Sequence, residues 1–289
     1  MNTFQVVLSG AMLGGLYALM AAGVSVTWGV LRVINLAHFG LILLGAYLTY
    51  QLVTIWRVNP LVTLVVTVPV LFVLGALLQW AYDRLNIVEF NSLLVSFGLL
   101  IVIIQVAQNV WTADHRELPR EVNPFVTGSL SLGPIVLPYD RLVCLGLAVL
   151  LLGGGHLALQ RTFVGRGMRA FAEDRTVAAS FGIDHRRLSV LLGGAAGASA
   201  GIAGMAFMLG NFIQPSHAYE WFGIVFAVVI LGGLGNLLGT LYAGISVGAL
   251  SGLVGVLWSQ AYVPIAVFAA IIIALVLRPQ GVFVRRRAA

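Results

Sequence analysis

The chain of 289 residues is 60% hydrophobic and 9% charged, with mean hydropathy +1.00, a balance that excludes an ordinary soluble domain. Its net charge of +6 rests on sixteen basic residues, every one an arginine. Having no lysine, it carries neither the P-loop amine that reaches nucleotide phosphates nor a Schiff-base amine. A single cysteine, Cys144, leaves no intrachain disulfide and no cysteine-rich metal site.

A hydrocarbon core of about 30 Å takes about 20 apolar residues in helical form. Apolar runs bounded by charge, Pro or Gly predict spans near residues 5–30, 36–56, 61–81, 91–111, 141–160, 188–209, 221–234, 239–258 and 261–277. The seventh run is short for a crossing and reads as a broken or re-entrant element. The expected fold is all-α, a polytopic transmembrane bundle of eight or nine spans forming one membrane domain over 1–289. No basic residue precedes Arg32, so the start lacks the n-region of a signal peptide, and the first span is expected to be retained. Cys144 lies in the apolar run of the fifth span and reads as an inert packing residue.

Small residues recur every four positions as Gly10, Gly14, Ala18 and Ala22, as Gly193, Gly197 and Gly201, and as Gly244, Gly248 and Gly252. Such stripes let helix backbones approach closely in lipid, inside one bundle, at a subunit interface or at a moving seam. A faint internal echo links Gly40 to Tyr47 with Gly235 to Tyr242.

The segments between spans differ in charge. Residues 160–187 hold Arg161, Arg166, Arg169, Arg175, Arg186 and Arg187 against Glu173, Asp174 and Asp184, and the tail adds Arg278, Arg285, Arg286 and Arg287. Arginine excess places both in the cytoplasm. Segment 112–141 sets Arg116, Arg120 and Arg141 against Asp114, Glu117, Glu121 and Asp140 and is interrupted by Pro119, Pro124, Pro134 and Pro138, so it reads as an external loop. Nine crossings with the N-terminus outside agree with that assignment. The aromatic segment 210–221 suits a membrane boundary or contact with an external protein.

The stretch Gly165 to Ile183 is a charged island between apolar runs. Met168, Phe171, Val177, Phe181 and Ile183 supply apolar points, and Arg166, Arg169, Glu173, Asp174 and Arg175 supply charge. Gly165, Gly167 and Gly182 bracket it as helix boundaries would. An amphipathic helix of about four turns is expected here, either docking a soluble partner or lying as a basic loop against lipid headgroups.

The island, reading GRGMRAFAEDR and continuing through Ala178 and Ala179 to Phe181, Gly182 and Ile183, resembles the cytoplasmic coupling loop of branched-chain amino-acid ABC transporter permeases of the LivH type. Ile34-Asn35-Leu36-Ala37-His38 with Leu44-Gly45-Ala46-Tyr47 is similar to that family's N-terminal motif, and Leu231 to Asn236 with Gly239 to its C-terminal glycine motif. Phe39 and Leu238 depart from the usual pattern, at positions where Gly and Pro are common. The resemblance implies a permease subunit of an ATP-driven importer in the cytoplasmic (inner) membrane. Two ABC ATPase subunits would hold ATP and Mg, a second related permease would pair with it, and an external solute-binding protein would deliver solute. No cofactor on this chain, no metal site, no enzymatic activity and no nucleic-acid partner are expected. The resemblance assigns ATPase coupling to Arg166, Met168, Arg169, Phe171, Glu173, Asp174, Arg175, Ala178, Phe181 and Gly182. Branched-chain amino acids are the implied solutes, with urea or short amides as the alternative within the family.

Polar groups within spans are the remaining candidates. Asn35 and His38 lie where the first span gives way to the second and serve either to satisfy backbone freed by a helix break or as a gate. Gln105, Gln108 and Asn109 fall at i, i+3 and i+4 and share one face of the fourth span. That face is expected to turn inward, toward a pathway or an interhelical hydrogen bond. Asn236, in the C-terminal motif, joins these pathway candidates. His156, on an apolar run, reads as a packing or interface residue. An ATP-independent secondary transporter or channel would be expected to carry an intramembrane carboxylate, and no Asp or Glu falls well inside a predicted span.

Overall fold

The computed structural model describes residues 3–87, 89–133, 135–182, 184–277 and 283; Pro134, Ile183, Arg278, Arg285, Arg286 and Arg287, read above, lie outside them, as does the side chain of Arg175. The first helix, α1 (Thr3–Val26), widens into a π turn at Thr27–Leu31 and stops where Arg32 adopts φ 57°. Helix α2 (Ala37–Trp56) ends at Arg57, also left-handed at φ 53°. A 3₁₀ turn at Pro60–Thr63 leads into α3 (Leu64–Arg84), followed by α4 (Glu89–Trp111). Segment 112–138 holds the single turn α5 (Pro124–Thr127) and an antiparallel hairpin of β1 (Ser129–Leu132) and β2 (Ile135–Pro138). The fifth span is α6 (Tyr139–Ala148), a π turn at Val149–Gly153 and α7 (Gly154–Arg161). Two short helices, α8 (Phe163–Glu173) and α9 (Arg175–Ser180), precede α10 (His185–Met208), α11 (His217–Gly232), α12 (Leu237–Leu257) and α13 (Val263–Leu277).

Among the described residues eight helical segments are long and apolar enough to cross a membrane, and α11 is a ninth, shorter apolar helix. Its sixteen residues rise about 24 Å. It does not turn back. His217, at its start, packs on Phe212, next to Ile213, whose backbone pairs with Arg116 of the segment holding the hairpin. At its other end Gly233 (φ 85°) and Gly235 (φ 75°) form a turn in which Gly235 N–H donates to Ser25 O at 3.0 Å, beside the π turn of α1. Its two ends therefore meet opposite ends of the bundle, and the glycine turn carries the chain on past Gly232.

Two glycine-lined seams organise the bundle. Helix α12 runs antiparallel to α1, with Gly244 against Gly14 and Ala18, Gly248 against Gly10 and Gly14, and Gly252 against Val6 and Gly10. Helix α10 meets α3 in the same way, with Gly193 against Gly75 and Gln79, Gly197 against Leu71 and Gly75, and Gly201 against Thr67. A Cβ at Gly197 would overlap the Leu71 carbonyl, so only glycine permits this backbone approach. All six glycines therefore lie in seams within the chain. The core sits between these pairs and includes Leu19, Phe39, Ile42, Tyr47 and Val228; Cys144 is buried in it, its Sγ 3.4 Å from Ala206 O.

The two ends of the bundle are distinct. At the hairpin end Gln5 Nε2 donates to Val136 O, Arg57 pairs with Glu121 at 3.2 Å, and Asn123 Nδ2 donates to Leu209 O. The opposite end carries residues 161–182, the α1–α2 break and the turn from Gly232 to Asn236, where Asn236 Nδ2 reaches Phe283 O at 3.2 Å.

Candidate functional site

The charged island is two helices, where one of four turns was expected. Asp174 breaks it, extended at φ −148° and ψ 112°, because its carboxylate accepts from Val177 N–H at 3.0 Å and so caps α9. The start of α8 is set by Thr162, whose hydroxyl accepts from Gly165 N–H and donates to Ala158 O, and the glycines play a different part from the boundary role expected of them. Gly165 lies inside α8 and permits its backbone to fold against Ala158 and Leu159; Gly167 is also internal, and only Gly182, at φ 80°, follows a helix end. Asp184 caps α10 through Arg186 N–H and Arg187 N–H and pairs with the Arg187 side chain at 3.1 Å.

This geometry gives the island two faces. Met168, Phe171 and Ala178 are 7%, 4% and 3% exposed and pack in a cluster of their own with Val30, Leu31 and Val33 from the end of α1, Tyr82 of α3 and Leu192 of α10. The other face exposes Phe163 and Phe181, each 82%, together with Val177, Arg166, Arg169, Glu173 and Asp174. Arg166 lies over the Phe163 ring at 6.0 Å, and Arg169 Nη2 donates to Gln160 O at 3.2 Å, which ties α8 to α7. Of the apolar points expected to act together, Met168 and Phe171 anchor and Phe181 projects. A push on the outer face therefore bears on three spans at once.

The α1–α2 break lies under this anchor. Backbone freed between Arg32 and Ala37 is satisfied from α4: Leu36 N–H donates to Ser96 Oγ at 3.0 Å, and Ser96 and Ser92 hydroxyls donate to Ile34 O at 3.3 and 3.5 Å. Asn35 Oδ1 accepts from Tyr82 Oη at 3.5 Å, linking the break to α3. His38 is 1% exposed, with Nε2 3.2 Å from Met20 O and its ring in the space left by Gly23, near Ser199. Asn236 caps α12, accepting from Gly239 N–H at 3.0 Å while Nδ2 donates to Gly232 O. Gln105 and Asn109 are exposed and Gln108 half-buried, so their shared face of α4 points out of the chain, contrary to the inward face expected. The inward face is already filled by Ser92, Ser96, Leu100, Ile104 and Ala107.

The island is thus a helical pair with one buried and one exposed face at one end of the bundle. Residues 6–277 match the family model described as branched-chain amino acid transport system / permease component. The chain belongs to this family. It is 23% identical to the high-affinity branched-chain amino acid transport system permease protein BraD of Pseudomonas aeruginosa, across 97% of this chain and 95% of that protein. It is 25% identical to the corresponding permease protein LivH of Escherichia coli K12 over the same shares of the two chains. It is also 25% identical to LivM of the same organism, across 79% of this chain and 59% of that protein. No solved structure matches it. The protein is thus a multi-pass membrane permease and not an enzyme.

In this permease the residues that sequence reasoning passed over are Ser92 and Ser96. Their only signal was i, i+4 spacing on the packed side of the fourth span, since serine in a membrane helix is ordinarily satisfied by its own backbone. Gly29 was also passed over; a Cβ there would overlap Gly235. His38→Ala is expected to destabilise the detergent-solubilised permease by about 2–5 kcal/mol, the range for emptying a large buried site. Thermal unfolding followed by tryptophan fluorescence checks this, with uptake per folded molecule unchanged.

Proposed function

We propose that this permease is one of two membrane subunits of an ATP-driven importer for branched-chain amino acids, and that α8 and α9 form the surface on which a separate ATPase bears. The observation that carries the reading is the island's division into a buried anchor and an exposed aromatic and charged face. The missing lysine agrees with nucleotide chemistry residing elsewhere, so ATP and Mg belong to two partner ATPase subunits. Six arginines between 160 and 187 orient the island end toward the cytoplasm, as expected of an inner-membrane protein. The hairpin end then meets an external solute-binding protein. Relatives named as two different permeases of one organism support pairing with a second, related permease. Alternating access follows as a two-state repacking biased by closure of the ATPases.

The test is reconstitution in liposomes with the cognate second permease, ATPase and binding protein. Leucine uptake is expected only with ATP and the full set. Uptake at full rate by this chain alone, or failure of any ATPase to co-purify with it, would overturn the reading.

A further inference from the structure

At the island end a pocket of 490 Å³ opens beside the π turn of α1. Its walls are far apart in sequence: Trp28, Gly29 and Arg32 close α1, Phe90 and Leu93 open α4, and Leu234 belongs to the glycine turn. The lining holds two polar side chains. Arg32 is exposed and has no ion-pair partner or side-chain hydrogen bond among the described residues, and the Trp28 indole N–H likewise donates to none of them. Guanidinium and indole are both donors with no acceptor capacity. No carboxylate lies in the lining, and its other side chains are apolar.

Donors without acceptors, set in an apolar wall, select an anion joined to hydrocarbon. An amino-acid zwitterion suits this lining poorly, because its ammonium finds no side-chain acceptor. The surface beyond the pocket extends the pattern. Phe90, Leu94, Phe97 and Ile101 fall at i, i+4, i+7 and i+11 on one face of α4, and all four are exposed, Phe90 at 81% and Leu94 at 69%. The stripe rises about 16 Å, half of a hydrocarbon core of about 30 Å and so the depth of one leaflet. Because α4 begins at the island end, the stripe starts at the membrane boundary, where a tryptophan is at home, and runs toward the midplane.

We propose that this pocket is a binding site for an anionic phospholipid, with the phosphate held by Arg32 and the Trp28 indole and one acyl chain laid along Phe90 to Ile101. Bound there, the lipid joins the end of α1, the start of α4 and the glycine turn. It braces the backbone that carries Val30 and Leu31, and through them the island. Arg84 supplies the contrast. It is also exposed, at the end of α3, but it lies over the Trp80 ring at 5.3 Å and outside this lining.

Native mass spectrometry of the delipidated permease, titrated in detergent with phosphatidylglycerol or phosphatidylcholine, tests the site. Phosphatidylglycerol is expected to bind at least about fivefold more tightly, the contribution of one arginine near a membrane surface. Arg32→Gln is expected to weaken it at least about tenfold, as loss of a charged hydrogen bond does, and Arg84→Gln less than about twofold. Leu234→Trp fills the pocket from a half-exposed position while keeping the charge, and is expected to lose the tight site as Arg32→Gln does, so the test survives the misfolding of one variant. Equal losses in Arg32→Gln and Arg84→Gln, or no preference for phosphatidylglycerol, would mean a general attraction of headgroups to a basic end and overturn the inference. Inorganic phosphate and leucine at millimolar concentration serve as competitors, and neither is expected to displace the lipid. Displacement by phosphate assigns the pocket to a soluble anion, displacement by leucine assigns it to the solute, and either refutes it as a lipid site. The readout involves no uptake, so its failure and the failure of the permease reading are separate results.

Discussion

Phe163→Asp combined with Phe181→Asp is expected to abolish ATP-dependent uptake while leaving the permease inserted and folded. Both rings are 82% exposed and contribute nothing to the cluster that fastens α8 and α9 to the bundle, which uses Met168, Phe171 and Ala178. Exposed aromatics beside arginines are typical interface anchors, and truncating such an anchor costs about 2–4 kcal/mol. The two together correspond to a loss of ATPase affinity of about a thousandfold or more. Co-purification of the ATPase with the variant, and fluorescence size-exclusion of the variant itself, separate lost docking from lost folding. Full association and uptake in the double variant would leave the island as a solvated loop. Met168→Asp makes the contrast: it buries a charge against Leu31 and Leu192 and is expected to detach the island from the bundle, lowering stability as well as coupling.

The second large effect is expected at Gly197. Its neighbours across the seam are backbone: the Leu71 carbonyl in overlap range and Gly75 Cα at 3.0 Å from a Cβ placed there. Backbone cannot swing aside as a side chain does, so Gly197→Leu must part α10 from α3 along its length. Overpacking that displaces only side chains costs about 1–3 kcal/mol. Separation of two whole helices exceeds this and is expected to remove the monodisperse peak in detergent and most membrane accumulation. Gly154 is the internal control, since a Cβ there meets nothing within 4 Å, and Gly154→Ala is expected to accumulate normally. A normal profile for Gly197→Leu would show that the two helices are not held at glycine distance.

Much of the architecture was readable in advance because lipid imposes a length rule that globular cores lack. All nine helical segments fall within a few residues of the apolar runs that announced them, and the four-residue glycine stripes correctly marked faces of close approach. Which helix each stripe meets was not readable, because spacing describes one surface and is silent about its partner. The fourth span shows the same limit from the other side. Periodicity placed Gln105, Gln108 and Asn109 together, but the direction of that face was decided by Ser92 and Ser96, whose task exists only because a distant segment at Ile34 to Leu36 is unwound. The island's charge was plain, yet its break at Asp174 depends on whether one carboxylate caps the next helix or faces water, a local competition that composition does not resolve. Met168 and Phe181 looked alike as apolar points, and only packing separated anchor from contact.

The wide turn from Thr27 to Leu31 touches three things at once. Val30 and Leu31 pack with the island, Gly29 meets Gly235, and Trp28 packs edge-on against Phe226 of α11. On the coupling proposed above, a force on the island reaches the Gly235 turn and α11 within a single turn of backbone, about 5 Å, with no long lever between them. Slack has nowhere to accumulate over such a distance. The stoichiometry between fuel burned and cargo moved then depends on how stiff that one turn is, and a variant that softens it should idle, consuming ATP at an ordinary rate while delivering little solute.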